Sequence, residues 1–185
     1  MRRLIHFVHS SADGFIEGPN GEFDWPVMEQ DLSDYSIDLT GRAEVFLYGR
    51  VVWEMMAGYW PEVESLSEHP HDLAFAPIWR STPKAVLSRT LVEAGHGARV
   101  VAGDLTDQVT ELKAGGDGAV LLFGGSSAAG ALSALGLIDE YRVVVHPVLL
   151  GGGKPVFAPG ARRAGLRLVE TRAFDGGSVL LHYTA

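Results

Sequence analysis

The feature that most limits the possible fold is the alternation of short apolar runs with longer stretches of helical spacing along the chain. Strands that alternate with helical crossovers form a mainly parallel sheet with helices on both faces. The strands expected from the apolar runs are Leu4–His9, Val45–Tyr48, Lys84–Leu87, Arg99–Ala102, Ala119–Phe123 and Tyr141–Leu150.

Helical spacing or a capping residue marks the segments between these strands. The helices expected are Val27–Thr40, Val51–Ala57, Asp72–Trp79, a helix capped by Asp104 or Thr106 that runs to Lys113, and Ser126–Leu135. Ser10–Pro26 and Gly58–Pro70 are expected to be loops.

The C-terminal part of the chain predicts a β hairpin. Asp175-Gly176-Gly177 separates two β-rich runs, Leu166–Phe174 and Ser178–Thr184, and this is a strong hairpin turn signal. We expect the hairpin to add antiparallel strands at one edge of the sheet. No linker interrupts the chain, so residues 1–185 are predicted to form a single α/β domain.

Composition and charge exclude several classes of function. The formal net charge of −8 disfavours non-specific nucleic-acid binding, which depends on a basic surface. The absence of cysteine excludes a disulfide scaffold, a zinc–cysteine site and a cysteine nucleophile. No apolar run approaches the roughly 20 residues needed to span a bilayer. We therefore expect a soluble cytoplasmic protein with a small-molecule substrate and no nucleic-acid or membrane partner.

Three segments at the ends of predicted strands carry groups that suit phosphate. Gly49 and Arg50 combine a tight turn, a helix start and a guanidinium. Ser88–Thr90 supplies two hydroxyls and a guanidinium after the next strand. Gly124–Ser127 lets the backbone approach a ligand without a Cβ. Each segment also has a structural explanation: an exposed arginine, a capped loop, or close helix–sheet packing. Taken together, they suit a ligand with separated phosphates, such as NADPH.

Several motifs in order along the chain resemble those of a known family. The chain resembles the dihydrofolate reductase fold, and more closely the family that contains the reductase domain of bifunctional riboflavin-biosynthesis deaminase-reductases. The matching segments are Ser11–Ile16, Tyr48–Glu54, Ser88–Leu91, Leu122–Gly125, Gly136–Tyr141 and Pro147–Phe157. The resemblance implies a three-layer fold with a C-terminal antiparallel hairpin. It also implies an NADPH-dependent reductase acting on a heterocyclic or sugar-pyrimidine compound.

The resemblance also implies where the cofactor binds. Gly49–Val51 and Ser88–Thr90 would hold the adenosine end and the 2′-phosphate. Gly124–Ser127 would hold the pyrophosphate, and one residue after the first strand would border the nicotinamide. The implied cofactor residues are Gly49, Arg50, Val51, Ser88, Arg89, Thr90, Gly124, Gly125, Ser126, Ser127 and Ile16. Val51-Val52 stands where the family often has a threonine, so one hydroxyl contact is missing.

Candidate residues on the substrate side each have two interpretations. Trp25 lies where dihydrofolate reductase has its mobile loop, so it either covers the nicotinamide pocket or anchors the loop in the core. Asp31 lies near the position of the acid in the folate enzymes, but it also suits a solvated first helical turn. Asp13 is either a turn residue or a catalytic carboxylate. His69–Asp72 is expected to be a polar loop without a metal, and His6 and His146 are expected to lie in the core or on a sheet face.

Two further expectations concern activity and assembly. The chain has no room for the deaminase domain of the bifunctional proteins, so a stand-alone reductase with another substrate is as compatible with the sequence as the pathway enzyme. A nucleotide-binding module without catalysis and a true dihydrofolate reductase are the alternatives. The terminal hairpin and Val143–Leu150 are expected to form a sheet edge, which predicts a homodimer.

Overall fold

A mixed sheet of eight strands forms the centre of the molecule in the computed structural model, which describes residues 1–158 and 163–185. Ten strands occur in the described residues, and eight of them pair in the order β5-β4-β3-β6-β1-β7-β10-β9. Their bounds are β1 Arg3–Ser11, β2 Phe15–Glu17, β3 Ala43–Gly49, β4 Lys84–Leu87, β5 Arg99–Val101, β6 Ala119–Phe123, β7 Glu140–His146, β8 Lys154–Pro155, β9 Arg167–Ala173 and β10 Val179–Thr184.

Helices cover both faces of this sheet. Their bounds are α1 Gln30–Gly41, α2 Arg50–Tyr59, α3 Pro70–Ser81, α4 Leu105–Ala114 and α5 Ser126–Ala134, with a short 3-10 helix at Trp60–Ser65. Residues of α1, α2 and α3 contribute to an aromatic-rich core on one face, which includes Trp53, Phe75 and Trp79. Residues of α4 and α5 pack with Val120 and Leu122 on the other face. The predicted α/β architecture, with helices on both faces of a mainly parallel sheet, is confirmed.

The strand directions also match the prediction. β1 pairs in parallel with β6 and β7, and β3 pairs in parallel with β4 and β6. β10 runs antiparallel to β7 and to β9, so the terminal hairpin lies at one end of the sheet. Because β4, β3 and β6 are neighbours, the three segments that suit phosphate lie side by side at the carboxyl ends of the parallel strands.

One expectation about the sheet edge is wrong. The strand at Val143–Leu150 is not an edge strand, because its counterpart β7 pairs with β1 on one side and β10 on the other. It also ends at His146, since Pro147 cannot donate a ladder hydrogen bond. The true edge at that end is β9, whose residues are all exposed.

Other differences concern short elements and helix starts. The predicted loop at Ser10–Pro26 contains β2, which pairs with β8 in a small separate sheet. The helix expected from Val27 begins at Gln30. The segment at His69–Asp72 is not a loop, because His69 caps α3 and Pro70 occupies its first turn. The pairing of β2 with β8 depends on a partner that is distant in the chain, and the cap of α3 depends on side-chain geometry. The periodicity of the sequence reveals neither of them.

Candidate functional site

Two helix starts lie next to each other at the carboxyl ends of β3 and β6. Gly49 precedes α2 and Gly125 precedes α5, and neither helix has a side-chain cap. The two turns are so close that a Cβ built on Gly49 would lie 3.2 Å from the Cβ of Ala128. The first-turn N–H groups of a helix have no partner within the helix, and its dipole is positive at this end. We call Gly49–Val51 together with Gly124–Ser127 the helix-start site.

The helix that follows β5 provides an internal contrast. Asp104 caps α4, and its carboxylate accepts hydrogen bonds from the backbone N–H groups of Thr106 and Asp107 at 2.9 and 3.1 Å. The N-terminus of α4 therefore satisfies its own donors and already carries a negative charge. The starts of α2 and α5 leave the same kinds of donors available to an anion.

The two glycines of the bend at Gly124–Ser127 have different roles. Gly124 has φ of +42°, and a Cβ built on it would meet no protein atom within 4 Å. Gly125 has φ of +78° and lies against Val52, which a Cβ would approach to 3.4 Å. Further along the helix, Gly130 packs against Ala158 at a similar distance. The bend is therefore open at Gly124 and closely packed at Gly125 and Gly130. Close packing explains Gly125 and Gly130, and a phosphate at the bend stays a prediction.

The predicted phosphate-binding side chains border this site to different degrees. Arg50 is exposed and forms an ion pair with Glu54 across one turn of α2, at 2.8 Å. Arg89 is exposed, and no ion pair involves it within residues 1–158 and 163–185. The Ser88 hydroxyl accepts from the N–H groups of Thr90 and Leu91, so it stabilises the turn that presents Arg89. Val51 is exposed in the first turn of α2.

Asp13 ties the end of β1 to the glycine-rich loop that follows β7. One carboxylate oxygen accepts from the Ser11 hydroxyl at 2.6 Å and from Leu150 N–H at 3.1 Å, and the other accepts from Gly151 N–H at 2.8 Å. These hydrogen bonds, led by that from Ser11, hold the pKa of Asp13 below its usual value. The structure thus gives Asp13 a role in holding two loops together, and its catalytic role stays a prediction.

The same loop is pressed against β2, which carries Ile16. Ile16 is buried, and Gly153 with φ of +121° lies directly over the carbonyl of Glu17. Any side chain at Gly153 would collide with this backbone. Lys154 pairs with Glu17 at 2.6 Å and fixes the register of β2 and β8. The proline- and glycine-rich segment after β7 therefore holds β2 in place, and with it Ile16, which lies just beyond the carboxyl end of β1.

A pair of histidines closes the carboxyl ends of β1 and β7. His9 Nδ1 and His146 Nε2 are 2.8 Å apart, and His146 is buried, with 1% of its surface exposed. Trp25 packs edge-to-face on His146, with ring centroids 5.5 Å apart. Burial, together with the neighbouring His146 and His71, lowers the pKa of His9 to about 3. Burial also lowers the pKa of His146. We call His9, His146 and Trp25 the histidine corner.

A cavity of about 200 Å³ lies between the starts of α1 and α3. It is lined by residues of the loop before α1, the first turns of α1 and the start of α3, namely Met28, Glu29, Gln30, Ser33, His69, Pro70 and His71. His71 is buried, and its Nδ1 is 2.9 Å from the Ser33 hydroxyl. His71 is also near enough to His9 to affect its pKa.

Asp31 makes contacts away from this cavity. Its Oδ2 accepts from Asp175 N–H in the terminal hairpin turn at 2.9 Å, and its Oδ1 accepts from Leu32 N–H. Asp31 thus joins α1 to the β9–β10 turn, and its catalytic role stays a prediction. The side chain of α1 that lines the cavity and bonds to a neighbouring imidazole is Ser33.

Sequence reasoning missed the histidine corner as a functional element. The sequence predicts His9 only as the end of a strand and His146 only as a core or sheet-face residue. The available signal was an imidazole near the carboxyl end of each of two otherwise apolar strands. Within residues 1–158 and 163–185, no group of three or more metal-ligating side chains is placed to hold a metal ion. No helix of that part of the chain is long and apolar enough to cross a membrane.

A comparison with known protein families shows which family this chain belongs to. Residues 2–180 match the family described as RibD C-terminal domain. The chain belongs to this family. A Bacillus subtilis relative, the uncharacterized protein YyaP, is 35% identical over 185 residues, covering 98% of this chain and 94% of its own length. The expected resemblance to the reductase domain of riboflavin-biosynthesis proteins is confirmed.

Solved structures confirm the fold. A protein of Shewanella sp. PV-4, named after riboflavin biosynthesis, superposes with a TM-score of 0.76 at 23% identity and covers 98% of both chains. The dihydrofolate reductase of Enterococcus faecalis, solved in complex with NADP(H), superposes with a TM-score of 0.66 at 15% identity, covering 98% of this chain and 95% of its own. The RibD-type chain thus has the dihydrofolate reductase fold.

Proposed function

We propose that this RibD-type protein is an NADPH-dependent reductase that transfers hydride to a small heterocyclic or sugar-pyrimidine compound. The observation that carries the proposal is the pair of adjacent, uncapped helix starts at Gly49 and Gly125, in a chain of this family. The cofactor supplies the hydride, and the protein supplies binding, orientation and exclusion of water. A reductase of this kind therefore needs no nucleophile or metal.

The helix-start site fits a pyrophosphate. The open space over Gly124 admits a ligand close to the backbone, and the two helix dipoles favour an anion there. In a chain with net charge −8, such local donors are needed to hold an anionic group. The N–H groups of Gly125–Ser127 would bind the pyrophosphate, and Gly49 would let the adenosine end approach.

Arg50 and Arg89 would select the 2′-phosphate that distinguishes NADPH from NADH. Both guanidinium groups are exposed beside the helix-start site. The ion pair between Arg50 and Glu54 is exposed and of the kind that stabilises a helix by only a few tenths of a kcal/mol, so a phosphate dianion can replace it. Ser88 and Thr90 would orient Arg89 and add hydroxyl donors, and Ile16 would border the nicotinamide.

The first test is a titration with NADPH and NADH followed by cofactor fluorescence. Contacts to a charged phosphate commonly contribute about 1.5–3 kcal/mol, so NADPH should bind roughly ten- to a hundred-fold more tightly. Arg50→Ala and Arg89→Ala should each reduce that preference. The matched control is Arg42→Ala, since Arg42 also forms an exposed i,i+4 pair, with Asp38, but on α1. Failure of the wild-type protein to bind either nucleotide would overturn the proposal.

The substrate is tested by NADPH oxidation. The proposed substrate class includes 5-amino-6-(5-phosphoribosylamino)uracil, the compound reduced in the riboflavin pathway. Trp25 would cover the reacting end of this compound, because its ring packs on His146. Oxidation with dihydrofolate instead, together with tight methotrexate binding, would identify a dihydrofolate reductase. NADPH binding without oxidation by any pterin, pyrimidine or quinone would identify a nucleotide-binding module.

We also propose that the protein acts as a homodimer. All residues of the edge strand β9 are exposed, including the apolar Leu168 and Val169. An exposed edge strand with apolar side chains is a pairing surface that proteins normally cover. Light scattering at micromolar concentration should give twice the chain mass, and Val169→Lys should shift it toward the monomer. A wild-type monomer under these conditions would overturn this assignment.

A further inference from the structure

The unused hydrogen-bonding capacity of the histidine corner points to its role. His9 Nδ1 and His146 Nε2 are within hydrogen-bond distance, so one of these atoms carries the shared proton. His146 Nδ1 is buried and has no hydrogen-bond partner within the described residues. His9 Nε2 also makes no hydrogen bond to the described residues, but the His9 ring is only half-buried. His9 Nε2 is therefore the nitrogen of the pair that is left to meet a ligand.

The two possible arrangements of the shared proton differ at both outer nitrogens. If His9 Nδ1–H donates, a neutral His146 must carry its own proton on the buried Nδ1, with no acceptor. If His146 Nε2–H donates, His146 Nδ1 is a lone pair and His9 carries its proton on Nε2. Buried N–H groups without an acceptor are rare, and they cost more than an unfilled acceptor site. The second arrangement is therefore favoured.

Trp25 favours the same arrangement. Its indole N–H is buried without a partner, and its ring packs on His146. An indole N–H can only donate, so it can be satisfied at this contact only by a lone pair on His146 Nδ1. Such a hydrogen bond would pair two groups that otherwise have no partner within the described residues. This contact is possible only when His9 Nε2 bears the proton.

Burial lowers the pKa of both His9 and His146, which disfavours the charged form of each ring. The groups that act on His9 are His146 on β7 and His71 on α3, and both disfavour its charged form. No carboxylate of the described residues hydrogen bonds to either ring of the pair. A neutral imidazole is a weak acid but a good hydrogen-bond donor, and in that form it polarises a carbonyl without giving up its proton. The corner thus presents one fixed, uncharged N–H.

We propose that His9 Nε2–H is the donor that recognises and polarises a carbonyl or imine group of the substrate, and that His146 holds His9 in the required tautomer. This inference rests on the proposed reductase function and narrows its substrate class. The substrate carbon accepts hydride from the reduced nicotinamide, the C=O or C=N π electrons move to the heteroatom, and a proton from water completes the product. His9 keeps its proton throughout and is a donor, whereas His146 is a positioning residue.

The first experiment requires neither cofactor nor substrate. Long-range ¹H–¹⁵N spectra of the imidazole rings report the tautomer and the charge of each histidine. We expect His9 and His146 both to be neutral Nε2–H tautomers at every pH from 5 to 8. A His9 ring protonated on Nδ1 alone, or either ring titrating near pH 6.5, would overturn the assignment.

The second experiment measures single-turnover oxidation of NADPH by 5-amino-6-(5-phosphoribosylamino)uracil. Removing one donor that stabilises a developing oxyanion commonly costs about a hundred- to a thousand-fold in rate. His9→Phe should show a loss of that size, with the Kd for NADPH within about twofold of wild type. His9→Gln, which restores an N–H donor near the Nε2 position, should recover at least about tenfold of the rate.

Two more variants separate recognition from structure. His146→Gln should slow the reaction less than His9→Phe and should change the His9 tautomer signal. The matched control is His6→Leu, because His6 lies on β1 but faces the opposite core, between Tyr141 and Phe157. It should leave the rate unchanged. A wild-type rate in His9→Phe would overturn the role of His9.

The pH profile gives an independent check. A donor that stays neutral predicts a rate that is flat between pH 6 and 8.5, whereas an imidazolium acid predicts a tenfold fall per pH unit above its pKa. The outcomes also separate this inference from the proposed function. Absence of NADPH binding refutes the reductase function, and the tautomer spectra still decide the state of the pair. NADPH binding and oxidation at a wild-type rate in His9→Phe refutes the role of His9 alone.

Discussion

The helix-start site and the histidine corner lie at the same edge of the sheet but are built in opposite ways. At the helix-start site the backbone offers the binding groups, and open space over Gly124 leaves room for a ligand. At the histidine corner side chains offer the binding groups, and Trp25 covers His146. The first recognises charge, and the second holds an uncharged donor in a place from which water is largely removed.

This difference shows how one edge of a sheet serves two kinds of recognition. Phosphate is bound well by exposed N–H groups and helix dipoles, because it is charged and keeps part of its hydration. A carbonyl is polarised best by a single fixed donor in a dry environment, where each hydrogen bond is stronger. The switch between the two falls at β1, which lies between β6 and β7.

The largest expected effect is the loss of unfolding free energy in acid, which the buried rings of His6 and His9 cause. Burial lowers the pKa of His6 to about 4, and burial together with His146 and His71 lowers that of His9 to about 3. The unfolded chain therefore binds more protons below pH 6.5, so the free energy of unfolding falls as the pH falls from 6.5. By pH 5 each residue should cost about 2 kcal/mol.

Urea titrations at pH 7 and pH 5 measure this loss. His6→Leu should remove its share of the pH dependence, because leucine carries no titrating group. An unfolding free energy that is the same at both pH values would contradict the neutral state of the two rings.

A methyl group at Gly124 should disable the helix-start site without unfolding it. A Cβ there meets no protein atom but enters the space proposed for the pyrophosphate, so Gly124→Ala should weaken NADPH binding by at least tenfold. The positive φ should cost about 1–2 kcal/mol of stability. Fluorescence titration and urea unfolding measure the two effects.

Gly136→Ala is the matched control for this variant. Gly136 follows the other end of α5, has φ of +67°, and its Cβ would also meet no atom within 4 Å. It should cost similar stability and leave NADPH affinity unchanged. Equal affinity in the two variants would place the nucleotide elsewhere.

Removing the cap of α4 should affect stability alone. Asp104→Ala leaves two N–H groups without their acceptor and should cost about 1 kcal/mol. NADPH affinity should not change, because this helix start is not proposed to bind the cofactor. A large drop in NADPH affinity, measured by fluorescence titration without urea, would show that the starts of α2, α4 and α5 act together.

The smallest effect is expected at the ion pair beside the helix-start site. Glu54→Gln releases Arg50 and removes a negative charge near the proposed 2′-phosphate. NADPH should bind about twofold more tightly, and the gain should shrink at high salt. Weaker binding in this variant would show that Glu54 orients Arg50 for the phosphate.

Much of the fold could be predicted from local patterns. β4 and β6 have the expected bounds, Lys84–Leu87 and Ala119–Phe123, because each is a short, mainly apolar run with turn residues at both ends. β2 and β8 could not be found, since they are three and two residues long and exist only through pairing with each other. The interior position of β7 depended on which strand the terminal hairpin joined.

The candidate site divides in the same way. Gly49, Gly124 and Gly125 could be chosen from sequence because glycine at the end of a strand is a local signal for a helix-start anion site. His9 and His146 are separated by 137 positions, so nothing local links them. Asp13 and Asp31 show the reverse problem, because each carboxylate accepts from distant backbone N–H groups.

The sequence by itself determined the alternation of strands and helices, the parallel sheet, the glycines that open two helix starts and the family of the chain. These properties follow from short-range periodicity and from the conformational freedom of single residues. Only the tertiary structure decided that the two helix starts touch, that β9 is the exposed edge, and that two neutral imidazoles meet beneath Trp25. Those contacts form when strands far apart in the chain become neighbours, and burial then sets the charge and the tautomer of the groups they bring together.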